Sequence, residues 1–435
     1  MSDSWTVAGS GPLLGEFFVN GDKSVSHRAL LVGALCDGPV EITGWGASAD
    51  TRATLEVVRA LGVQVDDLGA GRLTVYGVGL TGLKAPVGPI DVHNAGTLMR
   101  LLSGIIAMQP GGVYTLDGDR SIRRRPMERV AEPLRLMGAK IETTAGCAPL
   151  IVRAGAPLHG IEHVLEVASA QVKSAILLAG LRADGPTTVI EPTPTRDHTE
   201  RILRAAGVEV HSSSGRVTLM PVQHLHLDQV EVPSDISSSA FLIVAATLIP
   251  ESRIFLRGIG IGAGRTGLID VLERMGARIA IFNRRTTRGG EPIADLEVAH
   301  AELVATDITA DEVPGMIDEL PIFALAACVA HGRSRVRGAS DLRVKESDRL
   351  QTVRDALWSV GGHIETTDDG WRIRGVPVRL RGGMVDAHGD HRIAMLGAIA
   401  GLYSESGVTI SDPDVIDVSF PGFRGLIEAA TAVRR

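Results

Sequence analysis

Five times along the chain an amphipathic helical stretch runs into a glycine, then a small or branched residue, then two short alternating segments. The copies are Leu61-Gly62-Val63 before Leu73-Thr74-Val75, Met137-Gly138-Ala139 before Leu150-Ile151-Val152, and Ala206-Gly207-Val208 before Val217-Thr218-Leu219. Met275-Gly276-Ala277 before Leu296-Glu297-Val298 and Val360-Gly361-Gly362 before Trp371-Arg372-Ile373 complete the set. A glycine in that place reads as the residue just past a helix end, where a left-handed backbone is needed. The alternation behind it reads as a half-buried hairpin. The glycines stand 69 to 85 residues apart. That exceeds the roughly 20–50 residues of common solenoid repeats, so each copy reads as a small α/β module with its helix packed on strands. Six such units nearly fill 435 residues, a length too great for one ordinary core. The pattern predicts two domains of three modules each. The last unit is degenerate, with Gly407-Val408-Thr409-Ile410 as a strand but no copy of the glycine signature.

Composition removes several classes of function. Net charge is −7 with no long basic run, so there is no electrostatic footprint for a nucleic-acid backbone. Aromatics make up only 3%, which leaves few stacking platforms for single strands and implies cores of Ala, Val, Leu and Ile. Cys36, Cys147 and Cys328 have neither metal-ligand nor disulfide spacing, which points to a reducing, cytoplasmic compartment and no structural metal. Met-Ser-Asp-Ser-Trp at the start has no basic region leading into an apolar run, so no signal peptide is expected. No stretch reaches about 18 uncharged apolar residues, so no membrane span is expected.

The chemistry concentrates where helices are predicted to begin. Leu342–Leu350 holds Arg343, Lys345, Glu346, Asp348 and Arg349 ahead of an apolar-periodic segment. Read as helix, Lys345 and Arg349 share a face and repel, in a turn that already carries positive potential. A sequence that accepts both penalties either solvates a surface helix or holds an anion. The same grammar recurs around Lys23, Ser24 and Arg28, around Asn94 and Gly96, and around Arg125 at the end of an arginine-rich loop. It returns at Ser169-Ala170-Gln171, at Arg196, at Asp318-Glu319 and at Asp390-His391-Arg392. Each alone reads at least as well as ordinary capping or a solvated loop. Together they predict helix N-termini gathered into a positive, N–H-rich site for one or two small polyanions, inside a protein that is acidic overall.

In order along the chain, these residues resemble the 5-enolpyruvylshikimate-3-phosphate synthases (3-phosphoshikimate 1-carboxyvinyltransferases). The matching motifs are Asp22-Lys23-Ser24, Asn94-Ala95-Gly96-Thr97, Arg125-Pro126, Ser169-Ala170-Gln171, Arg196-Asp197-His198-Thr199-Glu200 and Asp318-Glu319. Arg343-Val344-Lys345-Glu346-Ser347-Asp348-Arg349, Asp390-His391-Arg392 and Ser419-Phe420-Pro421 continue the series. The resemblance implies a two-domain, inside-out, barrel-like α/β fold with three βαβαββ units per domain and an active site in the interdomain cleft. One domain would run from 21 to 235; the other would join 1–20 to 236–435. The implied reaction transfers enolpyruvyl from phosphoenolpyruvate to the 5-hydroxyl of shikimate-3-phosphate through a tetrahedral adduct and releases phosphate, without metal or cofactor.

By the same likeness, Lys23, Asn94, Gly96, Arg125, Gln171, Arg349 and Arg392 hold phosphoenolpyruvate. Lys23, Ser24, Arg28, Ser169, Ala170, Gln171, Arg196, Asp318 and Lys345 hold shikimate-3-phosphate. Asp318 is the implied base on the 5-hydroxyl. Glu346 and Lys23 deliver protons to the methylene carbon, with His391 close by. Gly96 leaves room beside phosphoenolpyruvate, so inhibition by glyphosate is expected, and the chain is expected to be a monomer. Leu101 stands where many members carry Pro, Ala170 replaces a second Ser, and Val418 stands where some members place Lys.

Two other readings share features with the chain. The sister enolpyruvyl transferase acting on UDP-N-acetylglucosamine usually carries a Cys before its Arg-Pro, where this chain has Gly118-Asp119-Arg120-Ser121-Ile122. The repeated module also resembles that of RNA 3′-phosphate cyclases, against which the acidic charge weighs. A module of this kind that only binds is a third possibility, and Lys23, Asp318 and Glu346 argue against it.

Overall fold

In a computed structural model the described residues are 4–432. The start of the chain, Met1 to Asp3, which enters the signal-peptide expectation above, lies outside them. The chain divides into two compact units: Gly21–Pro233 with Thr286–Pro292, and Met1–Asn20 with Ser234–Arg285 and Ile293–Arg435. Each unit has its own apolar core.

The unit built on 21–233 contains helices α1 (Lys23–Leu35), α2 (Ala49–Ala60), α3 (Gly96–Ala107), α4 (Glu128–Leu136), α5 (Ala170–Gly180) and α6 (His198–Ala205). Helices α1, α3 and α5 are buried along almost their whole length. Beyond their polar first turns these helices are apolar almost all round, and such a helix has no face to give to water. Helices α2, α4 and α6 bury one face only. Three four-stranded sheets accompany them. In the first, Gln229–Glu231 runs parallel to Asp37–Thr43, which pairs antiparallel with Arg72–Val78, and that strand closes a hairpin with Gln64–Gly69. The other two repeat this order of one parallel neighbour and one hairpin.

The second unit repeats the scheme with α7 (Ile236–Leu248), α8 (Gly267–Arg274), α9 (Leu320–Cys328), α10 (Arg349–Ser359), α11 (His391–Leu402) and α12 (Phe423–Ala432). Here α7, α9 and α11 are the buried helices. The degenerate last module is completed by the start of the chain. Ser4–Val7 pairs antiparallel with Val408–Ser411, the strand that Gly383–Asp386 flanks on its other side.

The glycine signature has a structural cause. Gly62, Gly138, Gly207, Gly276 and Gly361 have φ between +89° and +102°. In each copy the residue after the glycine donates its N–H five residues back, as Val63 does to the Val58 carbonyl at 3.2 Å. This double closure satisfies the last helix carbonyls and turns the chain into its hairpin. A side chain at these positions would force a left-handed backbone that non-glycine residues resist.

Candidate active site

In the 21–233 unit, polar side chains in the first turns of the helices bond from one helix to another. Asp22 caps α1 by accepting the Val25 N–H at 2.9 Å. Beside it, the Lys23 ammonium donates to Asp50 at 2.8 Å and stays one-fifth exposed. Arg28, one turn along α1, is buried. It donates to the Thr199 hydroxyl at 2.7 Å, the Ser174 hydroxyl at 2.9 Å and the Ser24 carbonyl at 2.9 Å. It thereby ties α1 to α5 and α6. Burial pushes the Arg28 guanidinium down to about 10; Arg196 adds to this, while Glu200 and Asp22 oppose it.

A second group centres on the start of α3. Arg100 donates to the Gln171 side-chain carbonyl at 2.5 Å and to the Gly96 carbonyl at 3.3 Å, and Gln171 donates on to the Thr97 hydroxyl at 2.8 Å. Arg125 donates to the Asn94 side chain at 2.9 Å and to the Ser121 hydroxyl at 3.2 Å. Gly96 lies between the two guanidiniums: a Cβ there would stand 2.8 Å from Arg125 and 3.0 Å from Arg100. Ser169 caps α5 by accepting the Val172 N–H, with Ala170 and Gln171 in the first turn. The structure thus brings Asn94, Gly96, Arg125 and Gln171 together. It adds Arg100, whose place on the inner face of α3 the sequence pattern did not single out.

His27, next to Arg28 on α1, is fully buried, with Nδ1 2.6 Å from the Thr54 hydroxyl. Burial, with help from Lys23 and Arg28, lowers its pKa to about 3 against the opposing pull of Asp50. The native state therefore binds one proton fewer than the unfolded chain between about pH 3 and the usual histidine value of about 6.5. Stability rises with pH across that window and is lost as the pH falls through it. His27→Gln should flatten the pH dependence of the urea midpoint between pH 4 and 6.5 by about one proton. An unchanged slope would contradict a neutral buried His27.

The second unit gathers carboxylates around one arginine. Arg349 is 1% exposed. It meets Asp390 through two bonds of 2.8 and 3.2 Å, Glu346 at 2.7 Å and Asp318 at 3.6 Å. Burial works against its charge, but Asp390, Glu346 and Asp318 outweigh burial and hold its pKa above the usual arginine value. Burial likewise disfavours the Asp390 charge, yet Arg349 wins and its pKa is lowered. Asp390 also caps α11 by accepting the Arg392 N–H at 3.0 Å, and it takes a bond from Ser347 at 3.0 Å. Arg392 donates to the Asp318 backbone carbonyl at 2.7 Å, with its other nitrogen 4.0 Å from the carboxylate. Asp318 and Glu346 keep about one-fifth of their side chains exposed. His391 is buried in the first turn of α11.

One expectation is corrected here. Lys345 and Arg349 do not share a helical face. A short 3₁₀ turn, Ser340–Val344, ends before Lys345, and α10 starts only at Arg349. The cause is Asp348, whose carboxylate accepts the Leu350 and Gln351 N–H groups and stops the helix from extending backwards. Lys345 turns to Asp341 at 3.3 Å instead. Arg349 orients three carboxylates from a buried position.

The structure also holds a network that the sequence pattern left unread. Arg265 donates to Asp235 at 2.9 Å and to the Ser237 hydroxyl at 3.1 Å, and Ser237 bonds Glu319. A signal existed: Asp235-Ile236-Ser237 opens an apolar helix just as Asp22-Lys23-Ser24 does. Among the described residues no group of three or more His, Cys, Asp or Glu is placed to hold a metal ion. No helix among them is long and apolar enough to cross a membrane.

Comparison with known proteins gives this arrangement a family. The profile of EPSP synthase (3-phosphoshikimate 1-carboxyvinyltransferase) matches residues 7–426. A 3-phosphoshikimate 1-carboxyvinyltransferase of Halorhodospira halophila is 49% identical over 426 residues, 98% of this chain and 95% of that protein. The relative of that name from Methylococcus capsulatus is 47% identical over 420 residues, 96% of this chain and 95% of its own. Among solved structures, EPSP synthase from Acinetobacter baumannii superposes with a TM-score of 0.87 at 42% identity, covering 98% of both chains. With its profile, its relatives and its fold in agreement from end to end, the chain belongs to the EPSP synthase family.

Proposed function

We propose that Asp318, Glu346 and Lys23 carry the chemistry of this chain, which transfers the enolpyruvyl group of phosphoenolpyruvate to shikimate-3-phosphate in aromatic amino acid biosynthesis. The observation that supports these roles best is the setting of Asp318. It is partly exposed, and it stands beside two arginines that face phosphate-bearing substrates in this reading. Asp318 takes the proton of the attacking 5-hydroxyl as its oxygen bonds to C2 of phosphoenolpyruvate. Glu346 or Lys23 supplies the proton that C3 gains. In the tetrahedral adduct that results, loss of a C3 proton and departure of phosphate restore the double bond. An acid and a base in reach each contribute about 10²–10⁴ in rate.

The remaining residues handle charge. Lys23, Asn94, Gly96, Arg125, Gln171, Arg349 and Arg392 surround phosphoenolpyruvate in this reading. Lys23, Ser24, Arg28, Ser169, Ala170, Gln171, Arg196, Asp318 and Lys345 surround shikimate-3-phosphate. His391 stands close by Glu346 and Lys23 in the same reading. Fixed cations and N–H dipoles of this kind stabilise charge that develops in transition without reorganising. We read the chain as a cytoplasmic monomer; its buried thiols, Cys36 and Cys328, are pushed up to about 12 by burial and so are poor nucleophiles.

The test is phosphate release on mixing the protein with phosphoenolpyruvate and shikimate-3-phosphate. Release should require both substrates and ignore a chelator. Release with UDP-N-acetylglucosamine in place of shikimate-3-phosphate would overturn the reading. Gly96→Ala should raise KM for phosphoenolpyruvate about tenfold with kcat within a few-fold. The added methyl crowds the ends of the Arg125 and Arg100 side chains, with Ile122 in ordinary contact, so Arg125 moves aside at little cost to the fold but leaves its binding position. A larger loss in kcat than in kcat/KM would contradict that account.

A further inference from the structure

We propose that the outer face of the sheet formed by Gly332–Val336, Trp371–Gly375 and His363–Thr366 binds a small anion carrying two or three adjacent phosphate groups. The strand register sets Arg333 opposite Arg374 and Arg335 opposite Arg372. All four arginines are exposed, while Ser334, Val336, Trp371 and Ile373 between them are buried. Like charges directly opposite on a sheet destabilise it. Elsewhere in this protein, exposed sheet arginines meet carboxylates: Arg153 with Glu142 at 3.3 Å, Arg216 with Glu162 at 2.6 Å and Arg253 with Glu297 at 2.5 Å. None of these four has a carboxylate within 4.0 Å among the described residues. Even Glu365, in register with Arg372, forms no ion pair with it.

The four side chains line a cavity of about 610 Å³, within the roughly 300–1,000 Å³ of small-molecule sites. Two carboxylates share the lining, Glu365 and Asp307. Asp307 is already engaged by the Arg335 backbone N–H at 2.8 Å. His363 is in register with Arg374, and Trp358 at the end of α10 adds an indole that is 56% exposed. Guanidinium forks match phosphate oxygens two at a time. Their anchors lie about 5 Å apart across strands and about 7 Å along a strand. A single monoanion cannot engage all four, whereas a short run of phosphates can. Inorganic polyphosphate and a nucleoside triphosphate share this chemistry, and the indole distinguishes them.

Calorimetric titration of tripolyphosphate into the full-length protein at low salt tests the assignment. One micromolar site is expected. It should weaken at least tenfold in Arg372→Ser/Arg374→Ser, and equally in Arg333→Ser/Arg335→Ser on the neighbouring strand, with enolpyruvyl turnover unchanged in both. ATP binding tighter than tripolyphosphate, with the gain lost in Trp358→Ala, would assign a nucleotide; equal affinity would assign phosphates alone. Absence of binding, or affinity that survives both double variants but falls in Lys23→Met, would overturn the proposal.

Discussion

Asp318→Asn should lower kcat by about a thousandfold and leave the protein folded. A thousandfold loss is about 4 kcal/mol of transition-state stabilisation, inside the span that a positioned general base supplies. The fold survives for reasons visible around the residue. The bond from Arg392 goes to the Asp318 backbone carbonyl, which the substitution leaves in place. Arg349 keeps its paired bonds to Asp390 and its contact with Glu346, so its buried charge is still neutralised. Asparagine preserves volume and an accepting oxygen but takes up no proton at neutral pH. The loss should fall on kcat more than on KM for either substrate, the pattern for an interaction made in the transition state. The urea midpoint should move by the equivalent of less than about 1 kcal/mol, as for other partly exposed positions. A kcat within tenfold of wild type would remove Asp318 from the base role. A collapsed midpoint would make it a structural partner of Arg349.

The sequence pattern carried the architecture because its signals are local. A glycine just past a helix, with a hairpin behind it, is written in a few consecutive residues. Five such sites adopt the left-handed backbone and helix closure that the pattern requires. The starts of the apolar helices were legible for the same reason, since Asp22, Ser169 and Asp390 are capping residues directly before apolar runs. The sixth module was legible only in part, because its partner strand, Ser4–Val7, lies some four hundred residues away in sequence.

The interior of the candidate site was less legible, again for a physical reason. Arg349 meets carboxylates from three separate segments, at 318, 346 and 390. No spacing rule announces that convergence. Reading Lys345 and Arg349 on one helical face failed because a single capping carboxylate, Asp348, moved the helix start by one turn. Arg265 was missed because it sits in a loop and acquires its role only through Asp235 and Ser237. Family resemblance supplied roles, but only geometry shows how deeply the cations are held: Arg125, Arg392 and Arg349 are all buried, at 8%, 7% and 1% exposed.

The largest effect on stability is expected away from the chemistry, at Lys173. Its ammonium is 1% exposed and sits 2.9 Å from Glu191 and 2.7 Å from Glu200, themselves 3% and 1% exposed. Glu191 also accepts from the Thr195 hydroxyl, but the second oxygen of Glu200 is buried without a hydrogen-bond partner. Lys173 is therefore the main compensation for two carboxylates in the interior, on the helix that carries Ser169, Ala170 and Gln171 in its first turns. Lys173→Met fills the same space and removes the charge. Uncompensated buried charge of this kind costs roughly 3–5 kcal/mol, a large part of the stability of an ordinary domain. Chemical denaturation at neutral pH should show the loss. Adding Glu191→Gln and Glu200→Gln to Lys173→Met should restore part of it, because removing the partner charges is cheaper than leaving them unpaired, while Arg28 loses the support of Glu200. If the single variant were as stable as wild type, the cluster would have to be solvated in a way its burial contradicts. If the triple variant were worse than the single one, the support that Glu200 gives to buried Arg28 would outweigh the relief of removing its unpaired charge.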